Sequence, residues 1–174
     1  MDLSLLLDAL FPLGHDVTVD GSLVHGSART EVAPSVEILG TADAAAVDAK
    51  LALAMAGHIL HVLDGAPRPF VFLVDTSGQA LRRHEELIGL NAYLAHLACT
   101  VDVARRSGFP SVSIVYGQAV SGGYLSLGLM ANRAYALAEV MRESSRADGR
   151  LAAGHERGGR VLGEPTASAV ARAL

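Results

Sequence analysis

The sequence has little cysteine, few aromatic residues and no excess of positive charge. Cys99 is the only cysteine among 174 residues, which excludes an internal disulfide and a zinc site built on cysteines. It lies among apolar residues of a predicted helix, so we expect it to be buried as a small hydrophobic residue. The formal net charge is −4, which argues against a nucleic-acid partner, because such partners need a basic surface.

Long hydrophobic runs are missing as well. No apolar run reaches the roughly 18 residues that a membrane helix needs, so we expect no membrane partner. The apolar residues 3–11 lack a basic flank and a cleavage site, which favours a helix over a signal peptide. With a lone cysteine, this indicates a cytoplasmic protein. Apolar residues are abundant, at 51% of the sequence, and only 18% of residues are charged. This composition is typical of a folded domain.

Strands and helices alternate along most of the chain, which predicts an α/β domain. The nearly uninterrupted apolar residues 69–75 are typical of a strand covered on both faces. Asp20 and Gly21 lie between two alternating stretches and predict a hairpin. The other predicted elements are a helix over residues 2–11, a strand over 35–39, helices over 44–63 and 81–106, a strand over 111–116 and a helix over 123–133.

The last part of the chain differs from the rest in composition. Residues 141–174 are rich in alanine, arginine and glycine and show no sustained apolar period. We therefore expect one domain over residues 1–140 and a tail over residues 141–174 that has no core-forming face and is poorly ordered over much of its length.

Two predicted strands end in turns of small residues that lead into helices. Residues 76–79 follow the first strand, and residues 117–123 follow the second. On one sheet, two such turns can direct backbone N–H groups into a common crevice, and the start of a helix leaves N–H groups unpaired. Such a cradle suits an anion or a carbonyl oxygen that becomes anionic. The glycines would equally suit close packing of a helix on a strand, and both interpretations stay open.

Two longer segments carry a resemblance to a known family. They are VDTSGQALRRHEELIGLNAYLAHLA (residues 74–98) and VYGQAVSGGYLSLGLMANRAYAL (residues 115–137). Together they resemble the gamma subunit of biotin-independent malonate decarboxylase, in the carboxyltransferase branch of the crotonase-like (ClpP/crotonase) superfamily. The resemblance implies a spiral of strand–strand–helix turns. Since residues 138–174 do not resemble the strand and helices that follow in that family, we expect a fold that is incomplete at its C-terminus.

The resemblance implies that the chain functions as one subunit of an enzyme complex. In this family the gamma subunit pairs with a beta subunit of the same fold, beside an acyl-carrier subunit and an acyl-transferase subunit. The complex decarboxylates a malonyl thioester to an acetyl thioester and CO2. The carrier subunit holds that thioester on a prosthetic group derived from dephospho-coenzyme A. We therefore expect no cofactor on this chain, no biotin and no metal.

The resemblance also implies which residues form the site. By match to the family's glycine turns, Gly122 and Gly123 supply one N–H cradle, and Gly78 with Gln79 supplies the other. We expect Ser121, Tyr124 and Thr76 to contact the substrate. Because decarboxylation needs donors for an enolate oxygen and no nucleophile, we expect Gly123→Val to block the reaction with only a modest loss of stability.

Two other functions remain open from the residues alone. Ser121 lies in a near match to the G-x-S-x-G motif, so a self-contained serine hydrolase is one alternative, and it requires a histidine beside Ser121. The other is a non-catalytic remnant that binds sister subunits or has no function.

The charged residues before the long helix have a simpler explanation. We expect His84, Glu85 and Glu86 to form a solvated face beside Arg82 and Arg83. The arginines alternatively suit a phosphate of the carrier's arm. His58 and His61 are expected to be packing and surface residues, because no third metal ligand has a suitable spacing.

Overall fold

The computed structural model describes residues 2–140 and 165–174, together with the backbone of residues 160–162. The helices in these ranges are α1 (Leu3–Leu10), α2 (Ala49–Leu63), α3 (Arg83–Leu87), α4 (Leu90–Arg106), α5 (Ser121–Ser126) and α6 (Ala167–Ala173). The strands are β1 (His15–Asp20), β2 (Leu23–Ala28), β3 (Val36–Thr41), β4 (Ala45–Val47), β5 (Phe70–Gln79), β6 (Ser111–Ala119), β7 (Arg133–Leu137) and β8 (Arg160–Leu162). Within the described residues, no helix combines the length and the apolar character that crossing a membrane requires.

One sheet organises the part of the chain that the structure describes. Strands β1, β2 and β3 pair antiparallel, and β3, β5, β6, β7 and β8 continue as parallel neighbours. The short β4 pairs with the end of β5, which brings Val47 opposite Gln79. The predicted hairpin is confirmed, since Asp20 pairs with Leu23 across the turn. The alternation of strands and helices confirms the predicted α/β class.

Apolar side chains cover both faces of the sheet, as the apolar run of β5 predicts. Val71 and Leu73 lie in a core with residues of α1 and α6. Phe70 and Phe72 alternate with them and lie on the opposite face, in a core with residues of α2 and α4. A strand between two cores needs apolar residues on both sides, which is why β5 shows no polar alternation over its first residues.

Two predicted helices differ from the observed ones, the first in where it begins and the second in being interrupted. Residues 45–47 form β4, and α2 begins only at Ala49, because the Asp48 side chain accepts a hydrogen bond from Leu51 N–H at 2.8 Å and caps the helix. The helix predicted over residues 81–106 is interrupted at Gly89, whose φ of +75° is left-handed. As a result, Leu87 leaves the apolar stripe of α4 and is 76% exposed.

The predicted turns after the two central strands are wrong in their extent. Strand β5 continues to Gln79 and β6 to Ala119, so the small residues belong largely to the sheet. The helix predicted over residues 123–133 is also wrong, because α5 ends at Ser126 and the chain enters β7 at Arg133. The small residues therefore form the ends of β5 and β6, and α5 begins almost directly after β6.

The predicted tail contains a helix that joins the core. Ala169, Val170 and Ala173 of α6 are buried, so the expected lack of a core-forming face is wrong for this segment. Arg133 donates a hydrogen bond to Ala173 O at 3.1 Å, which fastens the end of α6 to β7. The expectation of poor order otherwise concerns residues 141–159, 163 and 164, which lie outside the described residues.

Cys99 is exposed, so its predicted burial is wrong. The buried stripe of α4 runs along Leu90, Leu94, Leu97 and Val101, and position 99 lies on another side of that helix. The neighbouring apolar residues misled the prediction because a helix turns successive residues toward different faces.

A buried carboxylate joins α2 to the sheet. Glu37 of β3 accepts hydrogen bonds from His58 Nε2 at 2.8 Å and from Arg68 Nε at 3.0 Å. Burial raises the pKa of Glu37, the bonds from His58 and Arg68 lower it, and the net result lies below its ordinary value of 4.5. His58 is thus a packing residue whose ring is hydrogen-bonded to a buried carboxylate.

We expect Glu37→Gln to lower the free energy of unfolding by about 2 kcal/mol at pH 7, as is typical for hydrogen bonds to a charged group. A carboxyl whose pKa is lowered in the folded state stabilises the fold fully above its unfolded-state pKa. That contribution is lost as the pH falls through the folded-state value, so the deficit of the variant should shrink below pH 4.5. Urea denaturation at several pH values measures it, with exposed Glu31→Gln as control. A deficit that grows in acid would contradict this assignment.

Candidate functional site

The ends of β5 and β6 and the start of α5 meet, as the two small-residue turns predict, and we call this junction the crevice. Gly122 N–H donates a hydrogen bond to Gln79 Oε1 at 2.9 Å, and Val120 N–H donates to Thr76 O at 3.2 Å. The predicted site residues Thr76, Gly78, Gln79 and 121–124 are therefore brought together. Gly122 and Gly123 lie in the first turn of α5, as expected.

Gly123 lies directly against β5. A Cβ atom there would lie 2.6 Å from Thr76 Oγ1 and 3.0 Å from Gly78 O, so the position has no room for a side chain. Close packing therefore accounts for this glycine and argues against the expectation that Gly123→Val causes only a modest loss of stability. Among the described residues, none accepts a hydrogen bond from Gly123 N–H, although Gly123 is buried.

The second predicted cradle is largely occupied by the chain itself. Gly78, with φ of +109°, donates its N–H to Thr76 Oγ1 at 3.0 Å. The Thr76 hydroxyl in turn donates to Ala45 O at 2.7 Å, and Thr76 is only 1% exposed. The predicted contact of Thr76 with substrate disagrees with this placement, because its hydroxyl holds β4 against β5.

Replacing Thr76 tests this structural role. We expect Thr76→Val to lower the free energy of unfolding by about 3 kcal/mol, because Gly78 N–H and Ala45 O both lose a buried partner. Thr76→Ser keeps the hydroxyl and should cost about 1 kcal/mol for the lost methyl group. Urea denaturation of both variants gives the comparison. If the two variants are equally stable and only the valine variant loses turnover, the result would support the predicted contact of Thr76 with the substrate.

Ser121 lies at the surface, whereas Tyr124 packs against the buried Val74, Val115 and Ala136. Ser121 is exposed and has a left-handed φ of +48°, a costly conformation for a residue other than glycine. Tyr124 is half-buried, and burial raises the pKa of its phenol, which keeps the group protonated. No histidine among residues 2–140 and 165–174 hydrogen-bonds to Ser121, so the serine hydrolase lacks its required base there; His155 lies outside the described residues.

Asp75 is a residue of the site region that sequence reasoning missed. Its carboxylate accepts hydrogen bonds from Ala44 N–H at 3.0 Å and from Gln118 N–H at 2.7 Å, which ties the loop before β4 to β6. Burial raises the pKa of Tyr116, and Asp75 and Asp43 raise it further, so the phenol stays protonated and donates to Thr41 O at 2.9 Å. The one signal in the sequence was a carboxylate at the end of an apolar run.

Glu85 corrects the prediction of a fully solvated charged face. Its side chain is buried and accepts a hydrogen bond from Ala49 N–H at 3.1 Å, at the start of α2. This placement stabilises a helix N-terminus, where a negative charge is favourable. The neighbouring Arg82, Arg83, His84 and Glu86 are exposed, as predicted.

A pocket of about 420 Å³ lies between the tip of the β1–β2 hairpin and α2. Lys50 and Arg82 contribute positive charge to its lining, and Asp20 and Asp48 contribute negative charge. Arg82 Nη2 is 3.9 Å from Asp48 Oδ2, and its side chain is 70% exposed, so it can turn toward a ligand. The pocket is mixed in charge.

Comparison with known proteins decides the family. A family model described as malonate decarboxylase gamma subunit, MdcE, matches residues 42–147, which is more than half of the chain and includes the whole crevice. The chain belongs to the malonate decarboxylase gamma-subunit family. The resemblance carried by residues 74–98 and 115–137 is thereby confirmed.

A curated relative of this gamma-subunit chain is the malonyl-S-ACP:biotin-protein carboxyltransferase MADD of Malonomonas rubra. The two are 37% identical over 70 residues, which is 40% of this chain and 24% of the relative. The match therefore spans about a quarter of the length of that carboxyltransferase.

Solved structures show the fold. The Pseudomonas malonate decarboxylase MdcD–MdcE heterodimer matches with a TM-score of 0.72 and 20% identity, over 97% of this chain and 88% of the matched chain. The transcarboxylase 12S subunit matches with a TM-score of 0.74 and 17% identity, over 99% of this chain and 40% of the matched chain. The predicted crotonase-like fold is confirmed.

Proposed function

We propose that this chain acts as the gamma subunit of a complex that decarboxylates a malonyl thioester to an acetyl thioester and CO2. The observation that carries the proposal is the family match, which includes every residue of the crevice between β5 and α5. The N–H of Gly123 at the start of α5, for which no described residue is an acceptor, supports it, because an anionic oxygen needs such a donor.

The reaction needs no nucleophilic side chain. When the bond between the carboxylate and the neighbouring carbon breaks, its electron pair moves into the thioester to form an enolate, and CO2 leaves. A proton then adds to that carbon to give the acetyl thioester. Backbone N–H groups of Gly122 and Gly123 lower the barrier by stabilising anionic oxygen, and the apolar surroundings favour loss of the carboxylate. Ser121 and Tyr124 are the side chains that we propose to contact the substrate.

The proposal includes partners that complete the site. They are a beta subunit of the same fold, an acyl-carrier subunit whose prosthetic group derives from dephospho-coenzyme A, and an acyl-transferase subunit. Biotin takes no part, and this chain binds no cofactor of its own. The heterodimeric Pseudomonas neighbour supports a beta partner. So do large exposed apolar side chains of the kind that a subunit interface covers, among them Leu81, Leu87, Leu125 and Leu129.

The pocket beside α2 suits the carrier's arm. Lys50 and the mobile guanidinium of Arg82 offer positive charge to a phosphate, and Arg suits phosphate through its planar set of donors. We place the phosphate group of the arm there as part of the proposed function.

Turnover of a malonyl thioester by the reconstituted complex tests the proposal. We expect negligible turnover by the isolated chain and clear turnover once the beta and carrier subunits are added. Ser121→Ala should retain most of the rate, because no nucleophile is required, and a fluorophosphonate probe should leave the wild-type chain unlabelled. Loss of turnover in Ser121→Ala, together with labelling of the wild-type serine, would contradict the decarboxylase proposal and favour a serine hydrolase.

A further inference from the structure

We infer that the side-chain amide of Gln79 is a placeholder in the cradle: its oxygen holds Gly122 N–H until an acyl oxygen displaces it. The inference rests on the proposed function, since it concerns the same crevice. It assigns Gln79 a role through its side chain, whereas sequence reasoning assigned only its backbone N–H.

The contact identifies the group that occupies the donor. Gln79 Oε1 lies 2.9 Å from Gly122 N, and only the oxygen of an amide can accept that hydrogen bond. The accepting atom is therefore a carbonyl oxygen, the same kind of group as the carbonyl of a thioester. Gln79 is half-buried at the last position of β5, where the chain leaves the sheet.

The absence of a side chain at Gly122 makes this contact possible. A Cβ atom at Gly122 would lie 3.0 Å from Gln79 Oε1 and 3.1 Å from Leu94 Cδ1. An added methyl group would thus press on the amide and on α4. Gly122 is small because the Gln79 side chain approaches it, and Gly123 is small because β5 approaches it.

Competition between the amide and a ligand favours anionic oxygen. A neutral thioester carbonyl exchanges one carbonyl acceptor for another and gains little from Gly122. An enolate or carboxylate oxygen forms a charge-assisted hydrogen bond, which is roughly twice as strong as a neutral one. An anionic oxygen can also accept from the N–H of Gly123, which has no acceptor among residues 2–140 and 165–174. Displacing the amide costs the same for either oxygen, so the net gain at Gly122 is small for a neutral carbonyl and stays favourable for an anionic one, and a stronger interaction with the developing anion is what accelerates a reaction.

Two substitutions at position 79 separate the oxygen from the bulk of the side chain. Gln79→Met keeps the length but removes the acceptor, whereas Gln79→Glu keeps an acceptor and adds charge. In the full chain, amide hydrogen exchange of Gly122 should accelerate in Gln79→Met. With acetyl-CoA as the probe, the Kd should fall about threefold to tenfold in Gln79→Met, which corresponds to one net hydrogen bond. It should rise in Gln79→Glu. The exposed Gln118→Met is the matched control and should change neither quantity.

The outcomes distinguish this inference from the proposed function. Unchanged Gly122 exchange in Gln79→Met, or weaker acetyl-CoA binding in both variants at position 79, would overturn the placeholder, because Gln79 would then only pack or would itself bind the ligand. Loss of malonyl-thioester turnover in the wild-type complex, with the exchange and binding changes as expected, would overturn the decarboxylase alone. A Gly122 amide resonance that saturating acetyl-CoA does not shift in any variant would also overturn the placeholder, because no acyl oxygen would then reach Gly122.

Discussion

Gly123→Ala is expected to lower the free energy of unfolding by about 3 kcal/mol, and Gly123→Val by more, as overpacking a close contact does. The added Cβ atom would lie 2.6 Å from Thr76 Oγ1 and 3.0 Å from Gly78 O. Neither atom can retreat easily, because the Thr76 hydroxyl also bonds Ala45 O and Gly78 O belongs to the backbone of β5. Urea denaturation measures the loss.

Gly57→Ala is the control for this prediction. Position 57 lies on the exposed side of α2 with nothing within 4 Å of an added Cβ atom, so alanine should stabilise the chain by up to about 1 kcal/mol through helix propensity. If Gly123→Ala unfolds at the same urea concentration as the wild type, the close contact with β5 is not rigid. The loss of turnover in such a variant would then report blocked access to the cradle.

Gly40→Ala is expected to be at least as damaging, with a loss of about 3 kcal/mol or more, because the obstacle is backbone. A Cβ atom at this position of β3 would lie 1.9 Å from Leu73 O. Leu73 is held between β3 and β6 in the centre of the sheet, where it pairs with Gly40 on one side and Ile114 on the other. Relief would require β3 to separate from β5.

The expected sign is opposite to that of Gly57→Ala, so the two alanine substitutions form a sharp comparison in urea. A typical domain has only about 5–15 kcal/mol of stability, so Gly40→Ala should also lower the yield of folded chain. A wild-type denaturation midpoint for Gly40→Ala would show that β3 and β5 adjust without cost.

The sequence alone determined the α/β class, the hairpin at Asp20 and Gly21 and the central strand that begins the site. These features depend on patterns within a few residues, such as an apolar run or a turn dipeptide, which local physics constrains. The family resemblance came from two segments that together include the whole crevice, and the family model confirms it.

Contacts between distant residues were decided by the tertiary structure. Gln79 and Gly122 are 43 positions apart, and only the pairing of β5 with β6 brings the amide oxygen to the Gly122 N–H. The same pairing places Gly123 against Thr76. Thr76 was expected to contact the substrate, but its hydroxyl instead bonds the backbone and has a structural role. Glu85 is buried because it caps α2, which precedes it by 36 positions. A periodic pattern reports which face of an element is apolar, but which element covers that face, and how closely, depends on the packing of the whole chain.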